Sequence, residues 1–179
     1  MTAPIRDGSG RARAPYTGPT LHCAHWRDQR ELDGLHVAVV GGGPALARVV
    51  PPVVARARRV TVFQRDPLWI LPAPPLPGLP ALLRLAPADL LAALPGQAVL
   101  RRVAAANLRV QIGDSWQRRQ LTPDKPAGVR VHSRYYRALR QPHCTLISWP
   151  IARPAPLGIR TVDGVEHRVD CIIYAEDAS

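Results

Sequence analysis

Apolar positions along the chain fall into short blocks separated by glycine, proline and charge. Residues 35–40 (LHVAVV) form a valine-rich run that stops at Gly41, Gly42 and Gly43. A run this short, closed by glycines, predicts a buried strand and a tight turn. Pro44 suits the first turn of a helix, where its missing N–H costs nothing. Leu46, Val49, Val50, Val53 and Val54 then share one side, predicting a helix over about 44–58, with a kink or early break at Pro51-Pro52. Residues 59–65 (RVTVFQR) alternate as a second strand. Strand, glycine turn, helix and strand within some thirty residues define a βαβ unit.

Beyond it the pattern predicts a proline-rich loop over 67–80, helical patches over roughly 80–95 (broken near Pro87) and 97–120, and a loop over 121–128. A short strand at 129–132, a helical turn at 135–140 and a strand at 144–148 follow. Residues 158–162 and 165–169 flank Asp163-Gly164, a hairpin signal. Residues 170–174 (DCIIY) read as a last buried strand. Residues 1–15 read as a flexible N-terminal arm and 16–34 as an irregular approach segment; no internal repeat is visible. The fold class that results is α/β, a Rossmann-like parallel sheet with flanking helices on both faces and a small β-hairpin near the C-terminus.

Composition narrows the function classes. The chain has 179 residues, enough for one domain with a sizeable core. It is 46% hydrophobic and 21% charged, a globular balance. Lysine plus arginine is 24 against 13 acids, a net +11, and Lys125 is the one lysine. The arginines are dispersed and interleaved with acids, and Phe63 is the one phenylalanine, so a specific nucleic-acid platform is not expected. The longest uncharged run, 67–83, is too rich in proline for a membrane helix, and no secretory leader is legible. Cys23, Cys144 and Cys171 are odd in number and widely spaced, against a disulfide framework or cysteine zinc site. A cytoplasmic protein is the expectation.

The glycine turn carries the first candidate chemistry. Gly41 and Gly43 fill the first two positions of G-x-G-x-x-G/A, with Gly42 between them; the third falls on Leu46, which is expected to push the helix outward. Such a turn lets the backbone approach a pyrophosphate facing the helix N-terminus. An acid at the end of the second strand would select NAD; Gln64-Arg65 stands there, 24 residues after Gly41, and an arginine there favours the 2′-phosphate of NADP(H). The plainer reading is an exposed strand-end arginine, and Asp66 lies close to it. His22 and His25 lack a third metal ligand. His132 and His143 read as surface or hydrogen-bonded residues. Trp26 and Trp69 read as packing residues, and of Tyr135-Tyr136 one ring packs and the other is exposed. No nucleophile–base arrangement is legible, so no catalytic residue and no metal ligand is assigned.

Tyr16-x-Gly18-x-x-x-His22-x-x-x-Trp26 resembles the F-x-G-x-x-x-H-x-x-x-W fingerprint of Baeyer–Villiger monooxygenases, with Tyr for Phe. The glycine turn 15 residues after Trp26, VTVFQRDPLWILP (60–72), LTPDKPAGVR (121–130), Tyr135-Tyr136-x-Ala138-Leu139 and GIRTVDGVEHRVDCIIYA (158–175) are similar to that family in order. The resemblance covers about 16–175 and implies FAD- and NADPH-dependent oxidation of ketones or heteroatoms by two dinucleotide-binding domains. On it, residues 16–179 are expected to be a truncated NADP-binding domain, with the FAD domain missing and no activity alone. Gly41, Gly42, Gly43, Gln64 and Arg65 would bind NADP(H). Arg130 would assist, and matches either of the two adjacent basic positions of the family pattern. Departures are Leu46, Arg27 after Trp26, and Glu176-Asp177 where the family has Thr-Gly. The implied partner is a separate FAD-binding subunit. The alternatives are a non-catalytic NADP(H)-binding or interaction protein and a degenerate gene remnant.

Overall fold

The computed structural model describes residues 16–23, 29–71, 97–123, 129–132 and 134–176. The arm at 1–15, the helical patch at 80–95, most of the two predicted loops, Trp26 and Asp177 lie outside the described residues. Chain order is β1 (Thr20–His22), a 3-10 turn (Gln29–Leu32), β2 (His36–Gly41), α1 (Gly43–Val54), β3 (Arg59–Gln64), β4 (Trp69–Leu71), α2 (Gln97–Gln111), α3 (Ser115–Leu121) and β5 (Val129–Val131). Then come α4 (Tyr135–Leu139), β6 (Cys144–Ile147), β7 (Ile151–Ala155), β8 (Gly158–Thr161), β9 (Glu166–Arg168) and β10 (Cys171–Ala175).

Five strands form one parallel sheet in the order β1-β10-β2-β3-β6. Strand alternation divides its side chains between two cores. Val37, Val39, Val60, Val62, Cys171 and Ile173 pack with the buried side of α1 and with Tyr135, Tyr136 and Leu139 of α4. Ala38, Phe63 and Ile172 point the other way, onto Ile159 and Val169. Among the described residues that second face is thus covered by the antiparallel β7-β8-β9 sheet rather than by a helix. The hairpin at Asp163-Gly164 joins β8 to β9 as expected, and β7 adds a third strand.

Helix α1 runs through Pro51 and Pro52 and ends at Val54, four residues short of the expected end. The two prolines cannot donate to the carbonyls of Ala47 and Arg48. Its last turn is closed by Ala55 N–H on Pro51 O (3.1 Å), and the His143 ring bonds Val54 O (2.9 Å). The expected patch at 97–120 is two helices, because Asp114 caps α3 by accepting from Trp116 and Gln117 N–H at 2.7 and 2.8 Å. Both Tyr135 and Tyr136 are buried, at 2% and 1% exposure, so the expectation of one exposed ring does not hold. The reason is that α4 lies between α1 and the end of β3, where Tyr135 Oη donates to Gln64 Oε1 (3.1 Å).

Candidate functional site

The connection from β2 passes through α1 to β3 on one side, while β10 arrives on its other side. The carboxyl ends of β2 and β10 therefore flank a topological switch point, the place where open α/β sheets bind ligands. Gly41 ends β2 opposite Ala175 of β10. A Cβ on Gly41 would lie 2.1 Å from the Ala175 carbonyl oxygen, so the two strand ends meet with no room for a side chain. Gly42 is extended and serves as N-cap of α1 without a side-chain cap. Gly43 has φ +59, a backbone conformation other residues adopt only under strain.

The first turn of α1 is partly committed. Gly43 N–H donates to Asp66 O (3.2 Å), Pro44 has no N–H, and Leu46 N–H points back to Gly42 O (3.4 Å). Leu46 itself is 1% exposed within the main core, so the helix accommodates it by burying it.

Arg65 follows β3 directly, and its N–H donates to Gly41 O (2.9 Å), which ties the strand end to the glycine turn. Its guanidinium lies between two carboxylates, with Nε 3.4 Å from Asp66 Oδ2 and Nη2 3.4 Å from Glu176 Oε1. Asp66 also faces the turn, 3.2 Å from where a Gly42 Cβ would stand. Gln64 is half-buried, and its side chain is engaged by Tyr135, whose phenol burial raises well above its ordinary pKa and keeps neutral. The sequence-derived residues Gly41, Gly42, Gly43, Gln64 and Arg65 thus share one rim. Arg130 does not join them there: it is exposed on β5, paired with Ile70 of β4 in a separate two-stranded sheet.

The Tyr16–His22 stretch forms a clasp on the far edge of the sheet. Tyr16 Oη donates to Val169 O (3.1 Å), and burial pushes its phenol up to about 12. Its ring occupies the space a Gly18 side chain would need, with Tyr16 Oη 2.3 Å from a Cβ there. β1 then pairs with β10, and Cys23 Sγ donates to Glu176 O (3.2 Å). Glu176 is therefore held from the β1 side as well as facing Arg65.

A second cationic feature escaped the sequence reading. Trp69, Leu108, Arg109, Ser115, Arg118 and Arg119 line a cavity of about 460 Å³ between β4, α2 and α3. Arg118 is tied to the end of α2 through Ile112 O and Gly113 O (3.0 and 2.8 Å). This cavity depends on the break at Gly113-Asp114, and the capping signal at Asp114 could have found it.

These features define a Rossmann-like α/β fold with a glycine turn at its switch point. The chain is homologous to Baeyer–Villiger and FAD-binding monooxygenases. It is 26% identical over 188 residues to a Baeyer–Villiger monooxygenase of Streptomyces coelicolor and 28% identical over 183 residues to one of Pseudomonas aeruginosa; each match covers 89% of this chain and 35% of the relative. It is 28% identical to an FAD-binding monooxygenase of Aspergillus niger, of which it covers 30%. The chain thus spans about a third of the length of the curated relatives it matches. No family model matches it. Among solved structures, a steroid monooxygenase bound to NADP superposes with TM-score 0.72 at 20% identity, over 98% of this chain and 44% of that one. A cyclohexanone monooxygenase does so with TM-score 0.69 at 21% identity, over 90% and 43%. At these identities the likeness establishes the fold.

Proposed function

We propose that this chain is the NADP(H)-binding portion of a flavin-dependent monooxygenase of Baeyer–Villiger type. The observation that carries the reading is Arg65, a cation at the end of β3 whose own N–H is bonded to the glycine turn at the switch point. The pyrophosphate would lie along Gly41, Gly42 and Gly43 at the start of α1, where backbone can approach it and the helix dipole favours its charge. Arg65 would take the 2′-phosphate, for which a forked guanidinium is well shaped. The tight meeting of Gly41 with Ala175 and the positive φ of Gly43 fit such a cradle. NADPH, when bound, supplies a hydride; the residues here bind and orient it, and none is assigned to the chemical step. Gln64 would act indirectly, by fixing the end of β3 to α4. Arg130 would assist only by reaching over from the β4–β5 sheet.

FAD would be held by sequence corresponding to the part of the relatives that this chain does not span. Those relatives are single chains about three times as long as the aligned part, which gives no support to a separate FAD-binding subunit. No helix among the described residues is long and apolar enough to cross a membrane. Of the second reading, a non-catalytic NADP(H)-binding or interaction protein, the two carboxylates already on Arg65 favour the interaction half.

Calorimetric titration of the purified chain with NADPH and NADH tests the proposal. Saturable binding that prefers NADPH is expected. Arg65→Ala should then weaken NADPH by about tenfold or more, the scale of a lost charge-assisted hydrogen bond, and leave NADH nearly unchanged. Equal effects on both nucleotides would remove Arg65 from the 2′-phosphate, and no binding to the folded protein would leave the interaction reading.

A further inference from the structure

We propose that Glu176 is a specificity-determining residue, one that occupies Arg65 and so weakens selection of the 2′-phosphorylated nucleotide. The inference rests on the nucleotide-binding reading above and concerns this chain's own departure from a neutral residue after β10.

Glu176 is delivered to the rim by two constraints. Ala175 meets Gly41 with no space between them, so the chain leaves β10 directly beside the glycine turn. From the other side, Cys23 Sγ donates to the Glu176 carbonyl (3.2 Å). Its carboxylate then reaches across the switch point to Arg65 Nη2 (3.4 Å), 111 residues away in sequence.

The two acids on Arg65 are not equivalent. Asp66 faces the glycine turn, and its carbonyl receives the Gly43 N–H (3.2 Å). Its position is set by the turn, and its charge favours the N-terminus of α1. The Glu176 side chain, among the described residues, touches Arg65 as its polar partner. Glu176 thus holds Nη2, one of the two terminal nitrogens of the guanidinium, while Asp66 lies on Nε. One guanidinium with two carboxylates leaves a local excess of one negative charge, into which a 2′-phosphate must come. The nucleotide without that phosphate brings no charge onto Arg65, so the carboxylate of Glu176 opposes it less.

Calorimetry on the full chain with NADPH and NADH at low ionic strength, comparing the native protein with E176Q, R65A and the double variant, tests this. Thermal melting of each variant establishes that it is folded. Glu176 and Arg65 are both substantially exposed, 47% and 69% for their side chains, so folding should survive. E176Q should tighten NADPH about fivefold, the upper range for one exposed pair, and NADH less than twofold. In the R65A background the same substitution should no longer distinguish the two nucleotides. The gain should shrink in high salt. Loss of NADPH preference in R65A with no change, or an equal change for both nucleotides, in E176Q would overturn the role of Glu176 alone. Failure of every folded variant to bind either nucleotide would overturn this proposal together with the nucleotide-binding reading.

Discussion

Gly41 shows how one residue without a side chain sets the geometry of the rim. Its Cβ position falls 2.1 Å from backbone, which cannot swing aside as a side chain would. Gly41→Ala must push β2 and β10 apart at their carboxyl ends, and overpacking of this kind costs about 1–3 kcal/mol. Urea denaturation should show a loss in that range, and a variant as stable as the native protein would mean that the strand ends have slack. The glycine turn itself was legible, because strand, glycines and helix follow one another in sequence. The state of Arg65 was only half legible. Asp66 is its neighbour in the chain, but Glu176 comes to it through the placement of β10 beside β2, which no local pattern encodes. The sequence did mark Glu176 as out of place; it could not say which residue would receive the charge.

Elements follow the same rule. The strands that line the two cores, β2, β3, β6 and β10, stand where valine-rich or alternating runs placed them, since burial on one or both faces writes a strong pattern. The missed strands carry weak patterns. β1 and β4 have three residues each, and β7 (IARPA) contains Pro154, tolerable because β7 is the edge of its sheet. The division of the 97–120 patch into α2 and α3 depends on one side chain, Asp114, which takes two otherwise unpaired N–H groups. Asp114→Ala should destabilise by about 1 kcal/mol, typical of a lost N-cap. Because α3 forms one wall of the arginine-lined cavity, proteolysis should also reach 113–121 sooner in that variant. Unchanged stability and cleavage would mean that the helix starts without its cap.

For the whole molecule, two places carry arginines that an anionic ligand would meet. One is the switch point, with a glycine turn and a single arginine already facing two acids. The other is the cavity lined by Arg109, Arg118 and Arg119, with more positive charge but no glycine cradle. The net charge of +11 draws polyanions to the surface in general and favours neither. Backbone shape is what separates them, since a dinucleotide needs close approach along its pyrophosphate as well as charge. Homology to monooxygenases about three times as long as the aligned part bears on ancestry and fold, and what this chain binds is decided by the site's own residues. Amide hydrogen exchange with and without saturating NADPH tests the central claim most directly. Slower exchange at 41–46 and 64–66, with 105–122 unchanged, is the expected result. Protection confined to 105–122, or none anywhere, would contradict a nucleotide site at the carboxyl end of the sheet.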